Sequence, residues 1–199
     1  MNRHVARLML FVVGGLLALP AGRSVATTVP EMSLRELVAS SESIVHGIVE
    51  STQSRWNEDR TLIVTDVRIT VLDAVKGAPG GSVVVTQPGG QVGKLRVEVD
   101  GASAFVPGEE AVLFLAPGPE RETNVFGLFR GRFDVIADPA TGRKTVRALD
   151  AETVRAIRTT TRPTGAGVAV APTAGPVELD EFLGGLRSIA RDVESKGGK

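Results

Sequence analysis

Residues 61–72 read TLIVTDVRITVL and have the two-residue period of a β-strand. The face that this period predicts to be buried carries Ile63, Thr65, Val67, Ile69 and Val71. The other face includes Asp66 and Arg68, whose charges suit solvent. The stretch therefore predicts a strand that covers a core with one face only, as strands of antiparallel sheets do.

Similar β-rich runs, separated by Gly, Pro, Asp and Asn, extend on both sides of this stretch. Residues 111–115, AVLFL, are apolar throughout and predict a central strand that is covered on both faces. The predicted strands span residues 44–51, 61–72, 82–87, 95–99, 111–115, 126–129, 132–137 and 144–149. Their number and spacing favour a mainly β domain, built as a small barrel or sandwich.

Helical patterns stand before and after the β-rich region. Ser33 and Glu36 have capping-box spacing, which predicts a short helix over residues 33–40. Asp150 is placed to cap a second short helix, and the Thr, Pro, Gly and Ala residues of 159–176 predict a linker. The helices are thus expected to flank one β domain.

Residues 177–196 carry an apolar stripe at helical spacing, with Phe182 and Leu186 on it. Such a stripe packs on its own domain, docks on a partner or lies on a membrane. The polar face lacks the excess of Lys and Arg that membrane binding favours. We expect packing within the chain or against a partner protein.

Residues 1–26 have the pattern of an export signal: a basic start, an apolar run over residues 8–19 and the small residues SVA at 24–26. The apolar run is shorter than the roughly 20 residues of a membrane-spanning helix. We expect cleavage after Ala26 and a periplasmic or extracellular protein. The predicted organisation is a signal peptide (1–26), a β domain (31–149), a short helix and linker (150–176) and an amphipathic helix (177–196).

Composition excludes several classes of function. Cleavage of the signal would remove three of the 23 basic residues and none of the 23 acidic ones, so the mature chain would carry a formal charge of −3. That charge argues against nucleic acid as a partner. The chain has no cysteine, which excludes disulfides, thiolate metal sites and a cysteine nucleophile. No motif indicates a cofactor or a metal.

The order of several short motifs resembles that of exported bacterial domains related to the netrin-like and tissue-inhibitor-of-metalloproteinase family. The motifs lie within residues 31–135 and are SLREL at 33–37, SIVHGIV at 43–49, VLDAVKG at 71–77, VPGE at 106–109 and VLFL at 112–115. The resemblance implies a five-stranded Greek-key barrel of OB type with flanking helices, in agreement with the strand pattern.

Metalloproteinase inhibitors of this family place the amine and carbonyl of an amino-terminal cysteine on the protease zinc. This chain has no cysteine, and its mature start near Thr27 has no disulfide to hold such a wedge rigid. The resemblance therefore carries over the fold rather than the activity. Protease inhibition is retained as an alternative function.

Two single residues stand out as candidate functional groups. His46 is the sole histidine of the mature chain and could act as a base near neutral pH, but it lies within a predicted strand where a packed histidine is the commoner finding. Trp56 lies between two predicted strands and is flanked by charges. A tryptophan there either anchors a partner or covers the end of the barrel.

Aromatic and basic residues also alternate over residues 126–133. Phe129, Arg130 and Arg132 could form a binding face, although core aromatics are the commoner reason for such a pattern. The candidate partner-binding residues are Trp56, Phe129, Arg130, Arg132, Phe182 and Leu186. We predict a noncatalytic binding module for an envelope or extracellular protein, with protease inhibition and a carboxylate-dependent hydrolase as alternatives.

Overall fold

Strands form most of the regular structure, and helices precede and follow them. The computed structural model describes residues 32–118, 122–127, 130–161 and 174–197, so the predicted signal peptide and most of the predicted linker lie outside the described residues. The helices are α1 (Leu34–Ser40), α2 (Ala151–Thr161) and α3 (Leu179–Gly197). The strands are β1 (Ser43–Trp56), β2 (Ile63–Lys76), β3 (Ser82–Pro88), β4 (Gly90–Val92), β5 (Leu95–Val97), β6 (Glu110–Pro117), β7 (Thr123–Val125), β8 (Arg132–Ala137), β9 (Lys144–Leu149) and β10 (Gly175–Glu178).

One antiparallel sheet holds most of these strands, in the order β10-β9-β8-β6-β1-β2-β3. The longest pairing joins β1 to β2, from Ile44 opposite Lys76 to Trp56 opposite Ile63. Strand β6 pairs with β8 over its first half and with β7 over its second half. Strands β4 and β5 form a separate small hairpin.

The two faces of the sheet bury different cores. The face that we call the helix face is covered by α1, α2 and α3, and its buried strand residues include Ile44, Val112 and Phe114. The face that we call the opposite face buries the alternate residues of the same strands, such as Val45 and Leu113. Strands β1 and β6 are therefore covered on both faces, as the apolar run at residues 111–115 predicted.

A β-bulge changes which residues of β2 point to which face. Val67 and Ile69 belong to the core of the opposite face, whereas Val75 packs against the core of the helix face. The pairing of β1 with β2 shifts between His46 and Gly47. A side chain at Gly47 would meet Ile69, since a Cβ there would lie 2.6 Å from its Cγ2. Glycine is therefore required where the two strands come close.

The helices are held on the sheet by caps and by close packing. Ser33 and Glu36 form the predicted capping box at the start of α1. At the other end of α1, Lys76 Nζ donates to the carbonyls of Val38 (2.8 Å) and Ser41 (2.7 Å). A Cβ at Gly185 of α3 would lie 2.8 Å from Ile157 of α2, so this glycine permits the close contact of the two helices.

The predicted mainly β fold with a short N-terminal helix and a C-terminal amphipathic helix is confirmed. The sheet, however, is not closed into the expected barrel, because β3 and β10 are its two ends in the described residues. Strand β6 pairs with β8, which continues to β9 and β10, and with short β7, which forms no backbone pairing with β3 in the described residues. With its side-chain amide oriented so that the nitrogen faces β3, Asn124 can donate to the Thr86 carbonyl at 2.8 Å.

The position of one strand also differs from the sequence expectation. The strand predicted at residues 126–129 is formed instead by Thr123–Val125, and Phe126 and Gly127 form a turn. Gly127 has φ of 60°, a conformation that favours a turn over a strand. Among the helices that the structure describes, none combines the length and the apolar character needed to cross a membrane.

Candidate functional site

A polar cluster formed by His46, Glu110 and Lys144 lies within the helix face. The three residues belong to adjacent parts of β1, β6 and β9, which the pairing brings together across β8. His46 Nε2 lies 2.6 Å from Glu110 Oε1, and Lys144 Nζ donates to the same oxygen at 2.8 Å. The side chains of His46 and Glu110 are only 7% and 14% exposed. The carboxylate thus serves two donors in a nearly buried position.

The electrostatics of the cluster favour a charged Glu110. Burial acts to raise the pKa of Glu110, but the hydrogen bonds from Lys144 and His46 outweigh it and hold the pKa below its ordinary value. Next to His46, Asp73 of β2 accepts a hydrogen bond from Arg187 of α3. The Arg187–Asp73 pair ties the sheet to α3, whereas the Glu110 contacts join strands within the sheet.

The geometry of His46 is that of a packed structural histidine. Its Nε2 is engaged by Glu110, and the whole residue is 6% exposed. A general base has to come within hydrogen-bond reach of a substrate proton, and His46 offers little surface for that approach. The arrangement is chemically suited to fixing the strands and α3 in register.

Arg132 has a similar structural environment on another part of the sheet. Its Nε donates to Asp134 (2.7 Å), its Nη2 donates to Glu109 (3.0 Å), and its Nη1 donates to the carbonyl of Ala104. The guanidinium also stacks on Phe105, 4.5 Å from the ring centroid. With a side-chain exposure of 13%, Arg132 holds the 104–109 segment against β8 and leaves little surface for a partner.

The predicted aromatic surface is largely core. Phe133 contacts Phe114 and Phe182, with ring centroids 5.4 and 5.3 Å apart. Phe182 and Leu186 of α3 are fully buried on the helix face, so this apolar stripe packs within the chain. Arg130 lies half-buried in the turn before β8, and Phe129 lies outside the described residues.

Trp56 occupies the tip of the long β1–β2 hairpin. Its backbone forms the last pair with Ile63, and the residue is 37% exposed; Leu62, which precedes Ile63 and points to the other face of the hairpin, is 39% exposed. The turn between the strands is fixed by Asn57, whose Oδ1 accepts from the backbone N–H groups of Thr61 and Leu62, both at 2.9 Å. We call Trp56, Leu62 and the turn that joins them the hairpin tip.

The neighbouring residue, Arg55, anchors the base of this tip. Its guanidinium donates to Asp66 through Nε (2.6 Å) and Nη2 (3.1 Å), and to Glu122 through Nη2 (2.7 Å). The hydrogen bonds that Arg55 donates to Asp66 and Glu122 raise the pKa of its guanidinium above its usual range. Thr86 of β3 also donates to Asp66 at 2.9 Å. The tip therefore extends from a firmly bonded base.

Sequence reasoning identified Trp56 but missed the residues that act with it. Leu62 was assigned to an ordinary strand, and the Asn57–Thr61 spacing was not used, although it is the signal of a side-chain-stabilised turn. Glu110 was not paired with His46, because they are 64 residues apart in the chain. In comparisons with known proteins, no family model and no curated protein matches this sequence. The netrin-like resemblance therefore stays a prediction.

Proposed function

We propose that this chain is an exported, noncatalytic binding module that uses its hairpin tip to dock on a protein partner. The observation that carries the proposal is an exposed tryptophan held on a preorganised turn. Tryptophan is the residue type most enriched at the energetic centres of protein interfaces. The proposed export rests on the signal pattern of residues 1–26.

Preorganisation favours binding at the tip because less entropy is lost on docking. Asn57 stabilises the turn by accepting a hydrogen bond from its backbone, and Arg55 holds the strand ends through its bonds to Asp66 and Glu122. The exposed side chain of Trp56 then supplies apolar area at a defined position. Such a tip fits an apolar pocket on the partner.

The charges around the tip indicate what borders that pocket. Glu58, Asp59 and Arg60 are exposed in the turn, and their formal sum is −1. A partner pocket with a mildly basic rim would complement this charge and speed association. The burial of His46 supports a binding role over a hydrolytic one, because the best candidate base is committed to Glu110.

Site-specific photo-crosslinking tests the proposal. A photoreactive residue at position 58 of the mature protein, exposed to the envelope and secreted fractions of the producing cell, should capture one defined partner. Trp56→Ser should abolish this capture, whereas Ile136→Ser, which changes an equally exposed residue on β8 (39%), should retain it. Capture that is unaffected by Trp56→Ser, or equal loss in both variants, would refute docking through the tip.

A second measurement needs no label. Trp56 is the chain's single tryptophan, so the difference in fluorescence between the protein and its Trp56→Phe variant reports on the tip alone. Binding of the captured partner should shift the emission to shorter wavelength, because docking removes the indole from water. An unchanged spectrum at saturating partner would place the interface elsewhere.

A further inference from the structure

A cavity of about 360 Å³ lies on the opposite face of the sheet, where the core of that face ends. Strands β2 and β3 continue past the core residues Val67 and Val85 to Thr65 and Gln87. The chain from residue 88 to residue 105 passes over this end of the sheet and completes the cavity wall. The volume lies within the roughly 300–1,000 Å³ of small-ligand pockets.

One residue of the cavity lining, Gln87, has a polar atom without a hydrogen-bond partner. Gln87 is 3% exposed, and in the described part of the chain its Oε1 is the one buried side-chain polar atom without a hydrogen bond. An unpaired buried acceptor costs about 1–3 kcal/mol. Native proteins satisfy nearly all such atoms, so an exception requires an explanation.

Other polar side chains at the cavity bond to each other rather than to Gln87. Thr65 Oγ1 donates to the carbonyl of Gly89 (2.7 Å) and lies 2.9 Å from Ser54 Oγ. At the exposed rim, Arg96 donates to Glu98 at 2.8 Å, and the two charges compensate each other. None of these side chains satisfies Gln87 Oε1.

The cavity wall defines the rest of the ligand. Val67, Val97, Val99 and Phe105 supply apolar surface, and the one charged pair of the lining is balanced at the rim. A single water occupies about 30 Å³ of liquid volume, so the space is much larger than one bridging water needs. Displacing loosely held water from apolar walls favours a ligand with an apolar body.

We propose that this cavity binds a compact, uncharged ligand whose apolar body packs on Phe105 and the valines and whose single N–H or O–H group donates to Gln87 Oε1 once the terminal amide of Gln87 turns toward the cavity. The site is separate from the hairpin tip, because neither Trp56 nor Leu62 lines the cavity. The inference therefore does not depend on the proposed protein docking. Gln87 sets the specificity for a donor, and the apolar wall supplies most of the contact area.

Matched probe pairs test the proposal directly. Indole and 1-methylindole differ in one N–H donor, as p-cresol and 4-methylanisole differ in one O–H donor. Titration of the mature protein followed by amide NMR should show shifts at residues 87–91 and 96–105. Each donor probe should bind about tenfold more tightly than its methylated counterpart, the ratio expected for one buried acceptor left unpaired.

Variants assign the preference to Gln87. Gln87→Leu should reduce the ratio within each pair to about one. Gln91→Leu is the matched control, since Gln91 also lines the cavity but is exposed and bonds to Gly93, and it should keep the tenfold ratio. Ala102→Phe should fill the cavity from its wall and weaken both members of each pair. Trp56→Ser should change neither.

Several results would overturn the proposal. If no probe shifts these amides at millimolar concentration, the cavity holds only water. If the ratio persists in Gln87→Leu, the donor binds elsewhere. If Gln87→Leu does not fold, Ala102→Phe decides: unchanged probe affinity in that variant would exclude the cavity as the site.

Discussion

Both faces of the sheet bury polar side chains, but the buried groups differ in whether they have hydrogen-bond partners. On the helix face, Glu110 is nearly buried and receives hydrogen bonds from His46 and Lys144. On the opposite face, Gln87 is buried to a similar degree and its Oε1 receives none. A satisfied buried group stabilises the fold, whereas an unsatisfied one is a cost that a ligand can remove. Pairing rather than burial therefore separates the structural site from the candidate binding site.

The largest effect is expected for Phe182→Ala, which would open the core of the helix face. Phe182 is fully buried and contacts Phe133, so the loss of unfolding free energy should be about 3–5 kcal/mol. Urea unfolding measures it. Trp56→Ala is the control, because removal of this exposed side chain should lower the unfolding free energy by less than about 1 kcal/mol. Comparable losses in both would mean that the tip belongs to the core.

Glu110→Gln should have the next largest effect, about 2 kcal/mol at pH 7. The substitution keeps the shape but leaves Lys144 and His46 without their carboxylate. Urea unfolding at neutral pH checks this value, with Glu98→Gln as the control because its partner Arg96 is exposed. A loss no larger than that of the control would show that the cluster is dispensable.

The same variant has a predicted pH dependence. The pKa of Glu110 is lower in the folded protein than its ordinary value of 4.5, so the charged form stabilises the fold above that pH. The stabilisation should be lost as the pH falls through the folded pKa. The difference in unfolding free energy between the wild type and Glu110→Gln should therefore shrink below about pH 4.5. A difference that stays constant down to pH 3 would contradict the assignment.

Asp150→Ala should cost about 1 kcal/mol by removing the cap of α2, one of the helices on the helix face. Asp150 accepts from the backbone N–H (2.7 Å) and the hydroxyl (2.8 Å) of Thr153. Burial acts to raise the pKa of Asp150, but these bonds lower it below 3.8, so the effect should fade in acid. Thermal unfolding with Glu152→Ala as the control checks the cap.

Gln87→Leu should have the smallest effect on the unfolding free energy. Unlike the preceding variants, it should not destabilise the protein. Removing a buried acceptor that has no partner should leave the unfolding free energy of the ligand-free protein unchanged or raise it by up to ~1 kcal/mol. Urea unfolding of Gln87→Leu and Glu110→Gln under the same conditions compares the effects of the two faces on the unfolding free energy. A loss above about 1 kcal/mol would show that Gln87 has a structural role of its own.

The sequence predicted individual elements better than the relations between them. The alternation at residues 61–72 led to a strand whose predicted face is buried at Ile63, Val67 and Ile69. The helical spacing of residues 177–196 likewise predicted α3, but its apolar stripe was compatible with docking on a partner as well as with packing in the core. Only packing showed that Phe182 and Leu186 lie in the core and that Trp56 lies outside it. Periodicity identifies a buried face but not what covers it.

The barrel expectation shows the same limit. Regular strand spacing is common to barrels, sandwiches and curved open sheets, because local pattern does not specify which strands pair. The split of β6 between β7 and β8 depends on contacts between segments distant in the chain. The same limit applies to Gln87: the local pattern predicts only that it ends a strand, and the tertiary structure shows that it is buried without a partner for its Oε1.

By itself, the sequence determined the mainly β class, the flanking helices and the position of the hairpin with Trp56, because these follow from local period, turn chemistry and capping. The tertiary structure alone decided three things: the open sheet, the pairing of Glu110 with His46 and Lys144, and the lack of a hydrogen-bond partner for Gln87 Oε1 beside its cavity. Hydrogen-bond partners across a fold are set by chain topology, and a linear pattern carries no record of which buried groups meet.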